Sequence, residues 1–253
     1  TGYLILNNAI SGKLISEVQS NIYGITGVDT DLKYNQYVKF CNIVKNNKTS
    51  EFDFVKPIFE YICYKGLIEK ILLEKKLYNS IAELLGKDLS FCNDPSITLN
   101  LPNKSSPKKN YLFKDWHQEI WSGASPSTIQ IWIPLINKAK VKSTLQIMED
   151  SHKWGHIPHS NRAPTLLPKN PKITTVNLQI GDVLIFSSLL LHRSMKVNSP
   201  TLYLPILLKN FKVKDHSFQN NRSWKIFSYS EITKIEKILG NHYLSPFRLK
   251  DIK

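Results

Sequence analysis

Near residue 95 the spacing of apolar residues changes from helical to alternating, and this switch constrains the fold more than any other feature of the chain. Before it, Phe54, Ile58, Tyr61, Ile62, Leu67, Ile71 and Leu72 recur at helical intervals, followed by Leu77, Ile81 and Leu84 with Gly86 as a stop. Ser11 is placed to cap an earlier helix through Leu14 and Val18. After it, Ile97, Leu99 and Leu101 alternate with Thr98 and Asn100, and Ile129, Ile131, Ile133 and Leu135 alternate with Gln130, Trp132 and Pro134. Thr144 to Met148, Thr174 to Leu178, Asp182 to Phe186 and Leu202 to Phe211 are further strand candidates, separated by turn signals such as Gly181-Asp182. Many short strands with one apolar face imply a sandwich or a closed barrel. A last helix, capped by Ser230 and ended by Gly240, carries Ile232, Ile235, Ile238 and Leu239 and is expected to pack on the outside of the sheet.

Hydrophobic residues make up 42% of the 253 positions and aromatics 11%, enough to bury a sizeable core and to exclude general disorder. No linker or repeat divides the chain. The expectation is one domain over 1–253: a mostly helical support (1–94), a strand-rich core (95–211) and a C-terminal helical extension (212–253). The longest near-apolar stretch, Val183 to Leu191, is broken by Ser187 and Ser188 and is about half of a bilayer span, so no membrane crossing is expected. Cys41, Cys63 and Cys92 form no CxxC pattern; this argues against a disulfide framework and suits a reducing, cytoplasmic setting. Because the chain opens on Thr1 rather than Met, the removal of a targeting segment stays open.

The net charge is +14, yet only four of the 34 basic residues are Arg (Arg162, Arg193, Arg222, Arg248), and the lysines come with abundant Asn and Ile. Codon bias in an AT-rich genome gives the same profile. The densest loop patch is Lys104, Lys108 and Lys109, and the rest is scattered, which reads as a solvated surface and does not point to nucleic acid. It mildly favours an anionic small-molecule substrate.

The stretch Trp116-His117-Gln118-Glu119 carries the most chemistry. On an extended segment, side chains at i and i+2 share a face, so His117 and Glu119 converge while Gln118 turns away. An imidazole and a carboxylate so placed are two of the three ligands of a facial triad that holds Fe(II). His192, after a hydrophobic strand and 75 residues on, can supply the third from a different strand. Asp115, one strand step before His117, competes with Glu119 as the carboxylate. Alone, His-x-Glu is a common tripeptide, and a lone strand histidine is more often a hydrogen-bonded structural residue. His152, His156 and His159 lie in a loop without Cys or a carboxylate at metal-ligand spacing, which favours a structural or substrate-adjacent role over a second metal. Trp116, Trp121 and Trp154 read as a pocket border or as packing. No Gly-rich phosphate loop, G-x-S-x-G or H-E-x-x-H pattern occurs.

An ordered set of blocks joins these residues: His117-Gln118-Glu119, Ile131-Trp132-Ile133-Pro134-Leu135, Asp150-Ser151-His152-Lys153 with Gly155, Gly181 to Phe186, and His192-Arg193-Ser194 with Asn198. In them the chain resembles the phytanoyl-CoA dioxygenase family of Fe(II)/2-oxoglutarate oxygenases over about residues 95 to 211. The resemblance implies a mainly β double-stranded β-helix (jelly roll, cupin-like) with an N-terminal helical layer and a C-terminal helix. It also implies Fe(II) held by His117, Glu119 and His192, 2-oxoglutarate as co-substrate, O₂, and hydroxylation of a small molecule. Trp132 matches an aromatic residue of the 2-oxoglutarate pocket, and Ser194 a hydroxyl that reaches its distal carboxylate. Asn100 is a further candidate contact, with a solvent-facing strand position as the alternative. Two departures stand out. Glu119 replaces the family's usual Asp, and Tyr203 stands where the family places an Arg that forks onto the distal carboxylate. Losing such a pair with its partner still buried costs on the order of 2–5 kcal/mol. Arg193, Lys196 and Lys209 are candidate substitutes. Two other readings stay open: a non-catalytic relative acting as a ligand-binding module, and a zinc-dependent hydrolase using the same three ligands.

Overall fold

The computed structural model describes residues 1–28, 36–94, 96–101, 115–136, 145–161, 163–195, 197, 200–214 and 222–240. Thr144, Lys104, Lys108, Lys109, Arg162, Lys196, Asn198 and Arg248 lie outside them. In chain order the described elements are β1 (Tyr3–Leu6), α1 (Gly12–Ile25), α2 (Gln36–Asn46), α3 (Glu51–Tyr64), α4 (Leu67–Leu72) and α5 (Lys75–Leu85). Next come β2 (Leu89–Cys92), β3 (Thr98–Asn100), β4 (Ile129–Ile136), β5 (Leu145–Met148), β6 (His159–Ser160), β7 (Ala163–Pro164) and β8 (Ile173–Val176). The last are β9 (Val183–Ser187), β10 (His192–Ser194), β11 (Thr201–Asn210), β12 (Trp224–Ser228) and α6 (Glu231–Leu239).

The strands form an antiparallel sheet in the order β1-β9-β4-β11-β2-β12, with β3 also on β11, and a second sheet β10-β5-β8. Period-two alternation decides what each face meets. Ile131, Ile133, Ile185, Leu204, Ile206 and Leu208 point to one side and pack with the apolar stripes of α1, α3, α4 and α5. Their neighbours Trp132, Leu184, Phe186 and Tyr203 point to the other side and meet Leu145, Ile147 and Val176 of the second sheet. Two facing sheets with helices over one outer face make a double-stranded β-helix, mainly β with flanking helices.

Two prolines, Pro134 in β4 and Pro205 in β11, interrupt the centre of the large sheet without breaking it. Pro205 lies in β11 between the stretch paired with β3 (Thr201 to Tyr203) and the stretch paired with β2 (Leu208 to Asn210), so its missing N–H deprives no ladder on that edge. Its carbonyl accepts the Ser96 hydroxyl at 2.8 Å. The gap between β2 and β3 opens into the interior at this point. At the turn before β9, Gly181 adopts φ +96 and its carbonyl accepts Ala9 N and Ile10 N, while the Asp182 carboxylate accepts Asn8 N and Gln179 N. The Gly-Asp turn thereby ties the N-terminal strand to the core.

Several expectations are corrected. The first 94 residues also contain β1 and β2, and the stretch after 212 contains β12 as well as a helix. Ser11 stands at the N-cap of α1, but its hydroxyl donates to Glu74 Oε1 at 2.6 Å instead of capping. The helix capped by Ser230 and stopped by Gly240 is present, yet Ile232 and Ile238 are 62% and 80% exposed; only Thr233 is buried. Asn100 is not solvent-facing: it is 3% exposed, opposite Thr201 in the ladder.

Candidate metal centre and cavity

The histidines come from segments that hydrogen-bond directly to each other. His117 and His192 form an antiparallel bridge, His117 N donating to His192 O at 3.0 Å and His192 N to His117 O at 3.1 Å. This pairing brings the ring centroids to 4.1 Å. The His117 segment is not the regular strand expected: it is extended through Gln118, then turns at Glu119 into a short 3-10 turn, Glu119–Ser122. That suffices for convergence. Glu119 Oε1 lies 3.2 Å from His117 Nε2 and 3.4 Å from His192 Nε2, and donor atoms of all three residues lie within 4.8 Å of one another.

The rings are oriented by backbone. His117 Nδ1 lies 2.7 Å from Asp115 O, and His192 Nδ1 lies 3.0 Å from Leu190 O. A carbonyl only accepts, so each Nδ1 carries the proton and each Nε2 keeps its lone pair toward Glu119. Two imidazole lone pairs and a carboxylate, all at most 6% exposed and crowded together, are a donor set suited to a divalent cation. Gln118 turns away and is fully buried; its Nε2 donates to Gly155 O and Leu189 O, and its Oε1 accepts Ile157 N. Asp115 is exposed, its carboxylate accepting Trp116 N and lying 3.8 Å from Arg193 Nη1, so it stands apart from the cluster.

The three side chains line a cavity of about 240 Å³ together with Ser96, Ile97 and Thr98, Gln130 and Trp132, Ser194, Leu207 and Arg222, among others. Of the candidate co-substrate contacts, Trp132 and Ser194 line this cavity, whereas Asn100 and Tyr203 do not. Tyr203 stacks on Trp132 at 5.2 Å. Among the described residues, three buried polar atoms on the lining have no hydrogen-bond partner: Trp132 Nε1, Gln130 Oε1 and Arg222 Nε. Two of the candidate substitute cations, Arg193 and Lys209, are engaged elsewhere. Arg193 lies over the Trp116 ring and donates to Gln146, and Lys209 lies over the Trp224 ring.

Gln130 and Arg222 escaped the sequence reading. Gln130 sits in the alternation of β4, where a polar residue reads as solvent-facing until a second sheet is known to cover it. Arg222 falls in a stretch taken as helical, yet it precedes an edge strand whose register places Trp224 opposite Cys92. Burial pushes the Cys92 thiol up, against the opposing pull of the Asp94 hydrogen bond and the Arg222 charge, so this cavity-lining sulfur is a neutral thiol. Trp116 and Trp121 are buried beside Ile120 and Leu191, while Trp154 is 40% exposed. His159 stacks on Trp121 at 4.6 Å, with His156 at 5.8 Å from it, and no metal-ligand group includes them among the described residues.

A double-stranded β-helix with two buried imidazoles and a carboxylate lining a cavity has the donor set found in non-haem iron oxygenases. The sequence specifies which: residues 1–202 match the family model of phytanoyl-CoA dioxygenase (PhyH), and the chain belongs to that family of Fe(II)/2-oxoglutarate-dependent enzymes. Among solved structures, the fold is similar to the apo form of ThoJ, a non-heme monooxygenase, with 14% identity, 91% of this chain and 81% of that chain covered and a TM-score of 0.56. It is also similar to EctD from S. alaskensis, solved with 2-oxoglutarate and 5-hydroxyectoine, with 14% identity, 85% and 74% coverage and a TM-score of 0.52. No curated protein sequence matches the chain.

Proposed function

We propose that the chain is an Fe(II)- and 2-oxoglutarate-dependent hydroxylase of a small, anionic molecule, with His117, Glu119 and His192 as the metal ligands. The observation that carries this reading is the approach of their donor atoms to within 4.8 Å of one another. When bound, Fe(II) supplies O₂ activation coupled to oxidative decarboxylation of 2-oxoglutarate. The chain supplies geometry. Asp115 O and Leu190 O hold the two imidazoles in the tautomer that presents Nε2. Glu119 brings one negative charge against a dication, and Gln118 pins the segment that carries it. The Trp132 indole N–H and the Ser194 hydroxyl face the cavity as donors for the co-substrate. Tyr203 backs the Trp132 ring, and Asn100, whose side-chain atoms have no hydrogen-bond partner among the described residues, is a further buried polar group. Ile97, Leu207 and Pro205 close the apolar side and exclude water.

The three stretches 1–94, 95–211 and 212–253 act in this reading as one oxygenase domain. No described helix is long and apolar enough to cross a membrane. No disulfide joins Cys41, Cys63 or Cys92 among the described residues, which suits the reducing cytoplasm proposed for it.

The test is an anaerobic titration of the protein with Fe(II) and then 2-oxoglutarate. A charge-transfer band in the visible, absent in His192→Ala, is expected. Failure of any 2-oxo acid to give the band, or retention of zinc but not iron after purification, would turn the reading toward a binding module or a hydrolase.

A further inference from the structure

Arg222 enters the cavity from the residue two before Trp224, where Asn93 N donates to Ser223 O at 2.8 Å and Ser223 N to Asp94 Oδ1 at 3.2 Å. These bonds extend the β2-β12 pairing and fix the arginine backbone. Its guanidinium has five N–H donors. Nη2 donates to Ser122 O at 2.6 Å, on the turn that Glu119 opens. Nη1 faces Cys92 Sγ at 3.7 Å, a weak acceptor, and Nε is buried without a hydrogen-bond partner among the described residues. Among the described residues it forms no ion pair, and it is the one Lys or Arg that lines the cavity. A guanidinium held in a pocket, neutralised by no carboxylate and with donors to spare, is arranged for an anion that arrives from outside. The residue at the family's usual arginine position, Tyr203, carries no charge and does not line the cavity.

We propose that Arg222 is the carboxylate anchor of this cavity, binding a carboxylate of the small organic acid that occupies it. The proposal rests on the oxygenase reading above and deepens it. Two acids present the same chemistry: 2-oxoglutarate through its distal carboxylate, and the substrate through a carboxylate of its own.

Calorimetry on the full chain loaded with Ni(II), which does not turn over, separates them. The first arm titrates 2-oxoglutarate and 2-oxopentanoate, which keeps the oxo-acid head and lacks the distal carboxylate. If Arg222 holds the co-substrate, the native protein prefers 2-oxoglutarate by about 30-fold or more. Arg222→Gln then erases that preference and leaves 2-oxopentanoate binding unchanged, while Arg222→Lys retains part of it. The second arm, in saturating 2-oxoglutarate, titrates L-proline, benzoate and cyclohexanecarboxylate against their primary amides. If Arg222 holds the substrate, Arg222→Gln leaves the first arm unaltered and removes an acid-over-amide preference in the second.

Glutamine keeps a donor for Ser122 O, so a fold-level effect shows as parallel loss of Ni(II), 2-oxopentanoate and amide binding; that pattern overturns the proposal. So does an Arg222→Gln protein that matches the native one in both arms within about twofold. A native protein that binds neither Ni(II) nor any 2-oxo acid sinks the oxygenase reading instead.

Discussion

At the scale of single residues, adjacent positions in the His117-Gln118-Glu119 tripeptide have opposite duties, which separate experimentally. Glu119 contributes a charge toward the cation, and Gln118 contributes three hydrogen bonds toward the frame. Glu119→Gln is expected to leave the unfolding midpoint in urea close to that of the native metal-free protein, because the amide fits the same space. Its Fe(II) or Ni(II) affinity should fall by more than about 100-fold, beyond the 10- to 100-fold typical of outer positions. Gln118→Leu strands two half-buried carbonyls and a buried N–H, so a loss of about 2–3 kcal/mol of stability is expected from the same urea curves, with metal affinity reduced within that smaller range. Both roles were legible in sequence as far as facing goes, since i and i+2 share a face on any extended segment. What Gln118 bonds to was not legible, because Gly155, Ile157 and Leu189 reach it only through folding. Arg222 is the same lesson inverted: its position in the cavity depends on the pairing of β2 with β12, sequence segments about 130 residues apart.

Among elements, the termini of α6 were readable and its environment was not. Ser230 accepts from Thr233 N at 3.2 Å, a cap that local sequence announces. Burial of Ile232 and Ile238 would need a neighbour, and none of the described elements covers them. What holds this short helix is instead its N-terminus: Asp88, at the entry to β2, accepts Ser230 N and the Ser230 hydroxyl, each at 2.9 Å. Burial raises the Asp88 pKa, but the hydrogen bonds from Ser230 and Thr233 and the charge of Lys212 outweigh it and hold the carboxyl below its ordinary value. The folded pKa is therefore the lower one, so this contribution is full above about pH 4 and drains away as pH falls through the folded value. Asp88→Asn is expected to lower stability at pH 7 and to lose less than the native protein between pH 5 and 3, as read by chemical denaturation at each pH. A native curve no steeper than that of the variant would refute the assignment. Two of the elements missed from sequence share a physical cause. β1 and β12 are short strands on the two rims of the sheet, where half-exposed residues blur the alternation, as in the intermediate-exposed-exposed-intermediate-buried run of Trp224–Ser228.

For the molecule as a whole, the period switch near residue 95 was enough to foresee a helical first third and a sandwich or closed barrel, and the family resemblance added helices on one side; the strand order was legible in neither, because pairing of β1 with β9 or β12 with β2 is set by contacts distant in sequence. The same long-range architecture bears on stability. His117 and Glu119 belong to a segment outside the regular strands, joined to β10 by one isolated bridge and to the surrounding loops by the Gln118 hydrogen bonds, and His192 begins β10, an edge strand of the second sheet. A cation shared by these side chains binds only the folded arrangement, since the unfolded chain holds the donors far apart. Ligand at about 100 times its dissociation constant then adds about 2.7 kcal/mol. For a domain of this size that corresponds to a rise in melting temperature of about 5–10 °C. Differential scanning calorimetry with and without Ni(II) should show this rise in the native protein and not in His192→Ala or Glu119→Gln, whereas Arg222→Gln should retain it. An equal rise in the His192 variant would mean that Ni(II) stabilises the fold from some other place, and the centre built on His117, Glu119 and His192 would then lose its claim to the metal.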